Sequence, residues 1–154
     1  MRILILCIIY FLFNSTTFSQ GLDYKTVSDS LSTLSCGKVD SLTVTETRTR
    51  LENFDTTKIT KNIHLYYRDL EWCYYRLYLV TKDTSYIYKC IDSNKKSLHS
   101  KSDFSPALWE ISFCYYLLGD CKKGKYYLEK YKNSTDKNNW REEQIKRMTA
   151  KCKD

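Results

Sequence analysis

Few residues in this 154-residue chain have the types and spacing to do chemistry. There are seven cysteines, Cys7, Cys36, Cys73, Cys90, Cys114, Cys121 and Cys152, and two histidines, His64 and His99. No two cysteines make a C-x-x-C pair, and the histidines are far apart in the chain, so the pattern is not that of a zinc site. No Gly-rich phosphate loop, G-x-S-x-G or H-E-x-x-H occurs. Glu142 and Glu143 are neighbours, and neighbours on a helix point in different directions, so they do not form a facing acid pair. We expect no catalytic residue, no metal and no cofactor.

Two of the cysteines sit in matching surroundings. "EWCYY", Glu71–Tyr75, returns as "SFCYY", Ser112–Tyr116. No histidine or basic residue lies beside Cys73 or Cys114 to favour a thiolate, so neither reads as a reactive thiol. Buried free cysteine behaves as a small apolar residue, and packing is the expected role for both. A disulfide to either one stays open.

The elements that position these residues are helical. The chain has one proline and four glycines, so breakers are scarce. Its first residues, "MRILILCIIYFLFNSTTFSQ", place one arginine before an apolar run from Ile3 to Phe13. That run is shorter than the ~20 residues of a spanning helix. With small residues Thr17 and Ser19 it predicts a cleaved export signal over 1–19, and so a secreted or periplasmic chain without a membrane span. Cleavage removes Cys7 and leaves six cysteines, an even count that suits an oxidising compartment. Six cysteines allow 15 full pairings, and the sequence selects none.

Tyr24, Val27, Leu31 and Leu34 mark a first helical face, followed by a turn at Cys36–Ser41. Residues 44–54 fit helical spacing, although their Thr and Val content also suits strand. Asp55 reads as the N-cap of a long helix from Ile59 to about Val80, with Phe54 and Ile59 as a hydrophobic staple. A second helix follows from Ser85 to Leu98. Ser105 and Pro106 start a third, which carries Trp109 as a staple partner for Phe104 and which Gly119 ends. Asp120 caps a fourth, Cys121 to about Lys132, and a last helix runs from about Asn139. "WCYY" and "FCYY" fall at the same place in the first helix of two successive helix–turn–helix units, which is the mark of an internal repeat.

The stretch "ALWEISFCYYLLGDCKKGKYYLEKYK", Ala107–Lys132, resembles a tetratricopeptide repeat. Leu108, Ile111, Ser112 and Tyr115 match the large and small positions of that family's first helix. Gly119-Asp120 match its turn, and Gly124 and Leu128 its second helix. Tyr67, Leu70, Glu71 and Tyr74 fill the same places in the earlier unit, where Glu71 and Ile87 stand at positions expected to be small. The closing proline of the family is missing from both units. The resemblance implies an all-α fold of antiparallel helix–turn–helix repeats with a C-terminal capping helix and an N-terminal helical segment. The implied boundaries are a signal over 1–19, the N-terminal segment over 20–56 and the repeat domain over 57–154.

The same resemblance puts Trp72, Tyr75, Trp109, Phe113 and Tyr116 on the concave side, where such arrays bind a protein or peptide. Core packing is the competing role for them. It also turns the start of the fourth helix towards the capping helix, which makes Cys121 and Cys152 a disulfide candidate. From Cys121 onward there are eleven Lys/Arg against five Asp/Glu. Lys122, Lys123, Lys125, Arg141, Lys146, Arg147 and Lys151 form a basic patch suited to an acidic partner, or simply a solvated face. Export makes nucleic acid the least expected partner. The sequence thus predicts an exported protein-interaction module. An inhibitor or immunity-type protein that blocks an enzyme, and a structural subunit of an envelope assembly, are the other classes it allows.

Overall fold

A computed structural model describes residues 21–31, 41–150 and 152. The expected signal over 1–19, Cys36, most of the turn after it and Lys151 lie outside the described residues. What is described is mostly helical. In chain order come β1 (Leu22–Asp23), α1 (Tyr24–Leu31), α2 (Ser41–Glu52), β2 (Ile59–Lys61), α3 (Ile63–Thr81), α4 (Ser85–Ser100), α5 (Ser105–Leu117), α6 (Cys121–Ser134) and α7 (Glu142–Thr149). The four helices α3 to α6 pack in chain order, each against the next. The ambiguous segment is helix: Val44, Thr47 and Leu51 of α2 are buried at a spacing of three and four and face α3.

The long helix does not begin at Asp55. The Asp55 carboxylate accepts hydrogen bonds from the Thr57 N–H (3.1 Å) and hydroxyl (2.6 Å), and so caps a single 3-10 turn, Thr56–Lys58. Ile59–Lys61 then runs extended and pairs in parallel with Leu22–Asp23. Ile59 belongs to this short ladder rather than to a helical staple. Two β-branched residues in a row suit that conformation. Asn62, at φ 58°, swings the chain into α3, and its side-chain amide donates to Asp23 (2.8 Å). A pairing between segments so distant in the chain carries no local periodic signal.

Tyrosine hydroxyls fasten the N-terminal helices to α3. Tyr24 donates to Asp69 (2.9 Å), Tyr66 to the Leu51 carbonyl (2.8 Å) and Tyr74 to Glu52 (2.8 Å). Burial pushes the Tyr66 hydroxyl up to about 12, so all its binding is as a neutral donor. The rings fill the core while each hydroxyl finds an acceptor, which is how a tyrosine-rich core escapes the cost of buried unpaired polar groups.

The two helix hairpins share their inner geometry. Tyr74 of α3 stacks on Tyr86 of α4 with centroids 6.4 Å apart, and Tyr115 of α5 stacks on Tyr127 of α6 at 5.7 Å. In the first hairpin the Cys90 thiol donates to the Glu71 carbonyl (3.5 Å). In the second the Ser112 hydroxyl donates to the Gly124 carbonyl (2.8 Å). The α5–α6 turn follows the sequence: Gly119 takes φ 76°, and the Asp120 carboxylate accepts from the Lys123 N–H (3.0 Å). The α3–α4 turn reaches the left-handed region with Lys82 at φ 60° instead.

At the start of α5, Ser105 is the first helical residue and Phe104 the cap position, one residue earlier than the sequence suggests. Phe104 meets His64 edge-on, and Trp109 tilts against Tyr131. The last helix starts at Glu142, later than expected, because Asp136 caps a separate 3-10 turn, Lys137–Asn139.

Gly124 is the tightest point of the second hairpin. A Cβ there would lie 2.8 Å from the Tyr116 ring. Gly124→Ala is expected to cost about 1–3 kcal/mol through overpacking, despite the better helix propensity of alanine. Urea unfolding measures it, and an unchanged or raised midpoint would show that Tyr116 can yield.

Candidate functional site

A line of aromatics runs along α3 and α5. Tyr75 of α3 meets Phe113 of α5 edge-on at 5.7 Å. Trp109, one turn earlier on α5, packs against Tyr131 of α6 and lies under the Arg141 guanidinium (5.1 Å). α7 crosses beside them, with Met148 buried in the same cluster as Trp109 and Tyr116.

These three elements enclose an open cavity of about 480 Å³. Tyr75, Trp109, Phe113 and Tyr116 form its aromatic walls, and Arg141, Gln144, Arg147 and Met148 close it on the α7 side. Four of the five aromatics that the sequence marks for a partner therefore converge on one place. Trp72 does not join them: its ring is half-buried under the Arg76 guanidinium (4.5 Å). Burial differs among the four. Trp109 (4 % exposed) and Tyr116 (8 % exposed) are core residues that present an edge to the cavity, whereas Tyr75 and Phe113 are half-buried.

Three of the described basic residues of this segment have partners of their own. Lys123 is held by Asp120 (2.8 Å), Arg147 pairs with Glu143 (3.1 Å), and Arg141 covers Trp109. Lys122, Lys125 and Lys146 are exposed. Of the described residues in this set, Arg141 and Arg147 line the cavity.

α7 is placed by a covalent bond. Cys121, at the start of α6, is joined to Cys152 just beyond α7, with their Cα atoms 5.8 Å apart. The candidate pairing is present. Cys73, Cys90 and Cys114 are free thiols, each wholly buried. Burial pushes the Cys73 thiol up to about 12, which fits a packing role.

Two carboxyl groups lie behind the aromatics. Glu110 lines the cavity, and Glu71 of α3 is close enough to feel its charge. Burial, then the neighbouring Glu110, hold the Glu71 carboxyl well above the usual range. Burial also raises Glu110, while Arg141 pulls it the other way. None of the ion pairs among the described residues involves either acid. Along the sequence Glu71 stands out only as a misfit at a small position, and Glu110 belongs to none of the motifs. The available signal was a lone acid inside the apolar run "ALWEISFCYY".

No group of three or more His, Cys, Asp or Glu residues among those described can hold a metal ion, and no helix among them is long and apolar enough to cross a membrane. His64 lies apart from the cavity, edge-on to Phe104, with burial lowering its pKa. No protein-family model matches the chain, and no curated protein or solved structure does either.

A carboxyl whose folded pKa is raised favours folding in its neutral form. Glu71 therefore contributes its full stability below about pH 4.5, its ordinary value, and that contribution is lost as pH rises through the folded value. Glu71→Gln keeps the shape and removes the charge. Thermal melts at pH 4 and pH 8 should show the variant level with the parent at pH 4 and a few degrees more stable at pH 8, at roughly 2–4 °C per kcal/mol. A variant destabilised equally at both would mean that Glu71 is ionised and paired.

Proposed function

We propose that this chain is an exported protein-interaction module in which two tetratricopeptide-like hairpins and a capping helix hold an aromatic pocket for a polypeptide partner. One observation carries the reading. Aromatic side chains from two successive first helices, α3 and α5, converge with α7 on a single open cavity. Rigid aromatics around a cavity make strong anchoring points, because they bring large contact area with few rotatable bonds. A cavity of this size suits one or two side chains of a partner rather than an extended strand.

Two further features support it. The repeated tyrosine stacks, and the thiol or hydroxyl donated to a facing carbonyl at each hairpin, are what a duplicated helical unit predicts. The Cys121–Cys152 bond is stable where thiols are kept oxidised, which agrees with an N-terminal export signal and a secreted or periplasmic location.

The test uses the mature chain as bait and two variants. Tyr75→Ala with Phe113→Ala removes half-buried walls without hollowing the deep core. It should leave the helical circular dichroism intact and weaken capture of the partner at least thirtyfold, the effect of losing about 2 kcal/mol. Lys122→Glu with Lys125→Glu alters exposed charge outside the cavity and should leave capture within a few-fold. The opposite result, binding lost with the lysines and kept without the aromatics, would place the partner on the basic face of α6.

A further inference from the structure

The cavity carries charge of both signs, and its charges answer one another. Arg141 acts on the Glu110 carboxyl and lies over the Trp109 ring (5.1 Å). Arg147 pairs with Glu143 at 3.1 Å. Gln144, beside them in the lining, is neutral and can both donate and accept a hydrogen bond. A charged guest of either sign meets a group of its own sign in this lining, and like charges brought together are costly. A neutral guest meets no such penalty.

The rest of the lining is apolar and mostly aromatic. Tyr75, Trp109, Phe113 and Tyr116 are joined there by Leu117 and Met148. Tyr75 and Phe113 are half-buried, and Leu117 is 37 % exposed, so apolar surface is left for a guest to cover. The rings already meet at steep angles, Tyr75 on Phe113 at 72° and Trp109 on Tyr131 at 57°. A further ring extends that edge-to-face packing, because its positive edge suits the negative face of a neighbour. A saturated ring of the same outline has no such polarity to offer. The Met148 thioether favours an aromatic neighbour for a related reason. The polar groups then select among aromatic guests. Glu110 offers an acceptor, the arginines offer donors and Gln144 offers both, which matches a hydroxyl that donates and accepts at once.

We infer that the cavity receives an uncharged aromatic side chain of the partner polypeptide, the phenol of a tyrosine, with its ring among Tyr75, Trp109 and Phe113 and its hydroxyl towards Glu110 and Gln144. The inference rests on the proposed binding pocket and adds the chemical class of its guest. Because α7 supplies Gln144 and Met148, the guest is recognised by both hairpins and the capping helix together.

The experiment is an NMR titration of the oxidised mature chain with four small probes at neutral pH: p-cresol, 4-methylcyclohexanol, benzylamine and benzoate. The Met148 methyl group and the Trp109 indole N–H report binding in the cavity. p-Cresol should bind tightest, at least about threefold more tightly than 4-methylcyclohexanol, which keeps the outline and the hydroxyl but lacks the aromatic ring. Tyr75→Leu with Phe113→Leu keeps the walls apolar and should erase that advantage. Tighter binding of benzylamine or of benzoate would overturn the inference and make the guest a cation or an anion. Equal binding of p-cresol and 4-methylcyclohexanol by the parent chain would overturn it and leave a pocket for any apolar group, as would an advantage that survives in the double variant. Binding of no probe would overturn it too, while capture of the partner by the alanine variants still judges the wider reading independently. The probe series on the parent chain decides the matter even if the leucine variant fails to fold.

Discussion

The site depends on one covalent constraint, the Cys121–Cys152 disulfide. α7 is eight residues long and buries only Met148. An isolated helix of that length is unstable in water, and a single buried side chain does little to change that. Its remaining anchors are half-buried: Ile145 and Trp140 pack against the second cluster, and Lys132 lies over the Trp140 ring. Joining residues 31 apart in sequence removes about 3–4 kcal/mol of loop entropy from the unfolded chain and fixes α7 against the start of α6. Without α7 the aromatic face of α3 and α5 is an open surface. With it, the same residues line a cavity.

The rest of the fold supplies a rigid bed for that cap. The first hairpin is braced from outside by tyrosine hydroxyls reaching α1 and α2, the second from inside by Gly124, which lets α6 close onto Ser112 and the Tyr116 ring. Tyr116 therefore has one face against α6 and an edge in the pocket. Core packing and cavity lining share a residue, so the geometry of the hairpin sets the width of the cavity. The same economy appears in Trp109, which is core towards Tyr131 and cavity wall towards Arg141.

Much of this is legible in the residues. Gly119, Asp120, Gly124 and the recurring Cys-Tyr-Tyr carry local or short-range signals, and they place α5, α6 and the stacked tyrosines. The disulfide candidate and four of the aromatics that line the cavity come from the tetratricopeptide resemblance. What is not legible is long-range. β2 forms because Leu22–Asp23 comes alongside, and nothing between Phe54 and Asn62 announces that partner. Glu71 looks like a flaw in a repeat until Glu110 is seen beside it on the neighbouring helix. Helix packing creates that relation between two acids, and no pattern along one helix contains it. The basic segment is the converse case. It is conspicuous as a charge run, yet Asp120 and Glu143 engage two of its members and Trp109 a third.

Amide hydrogen exchange on the oxidised chain and on a Cys121→Ser, Cys152→Ser variant tests the central claim most directly. The amides of Ile145 to Thr149 should lose their protection in the variant, while those of α3 to α6 keep theirs. If α7 stays protected without the disulfide, its own packing holds it, and the bond is not what builds the pocket.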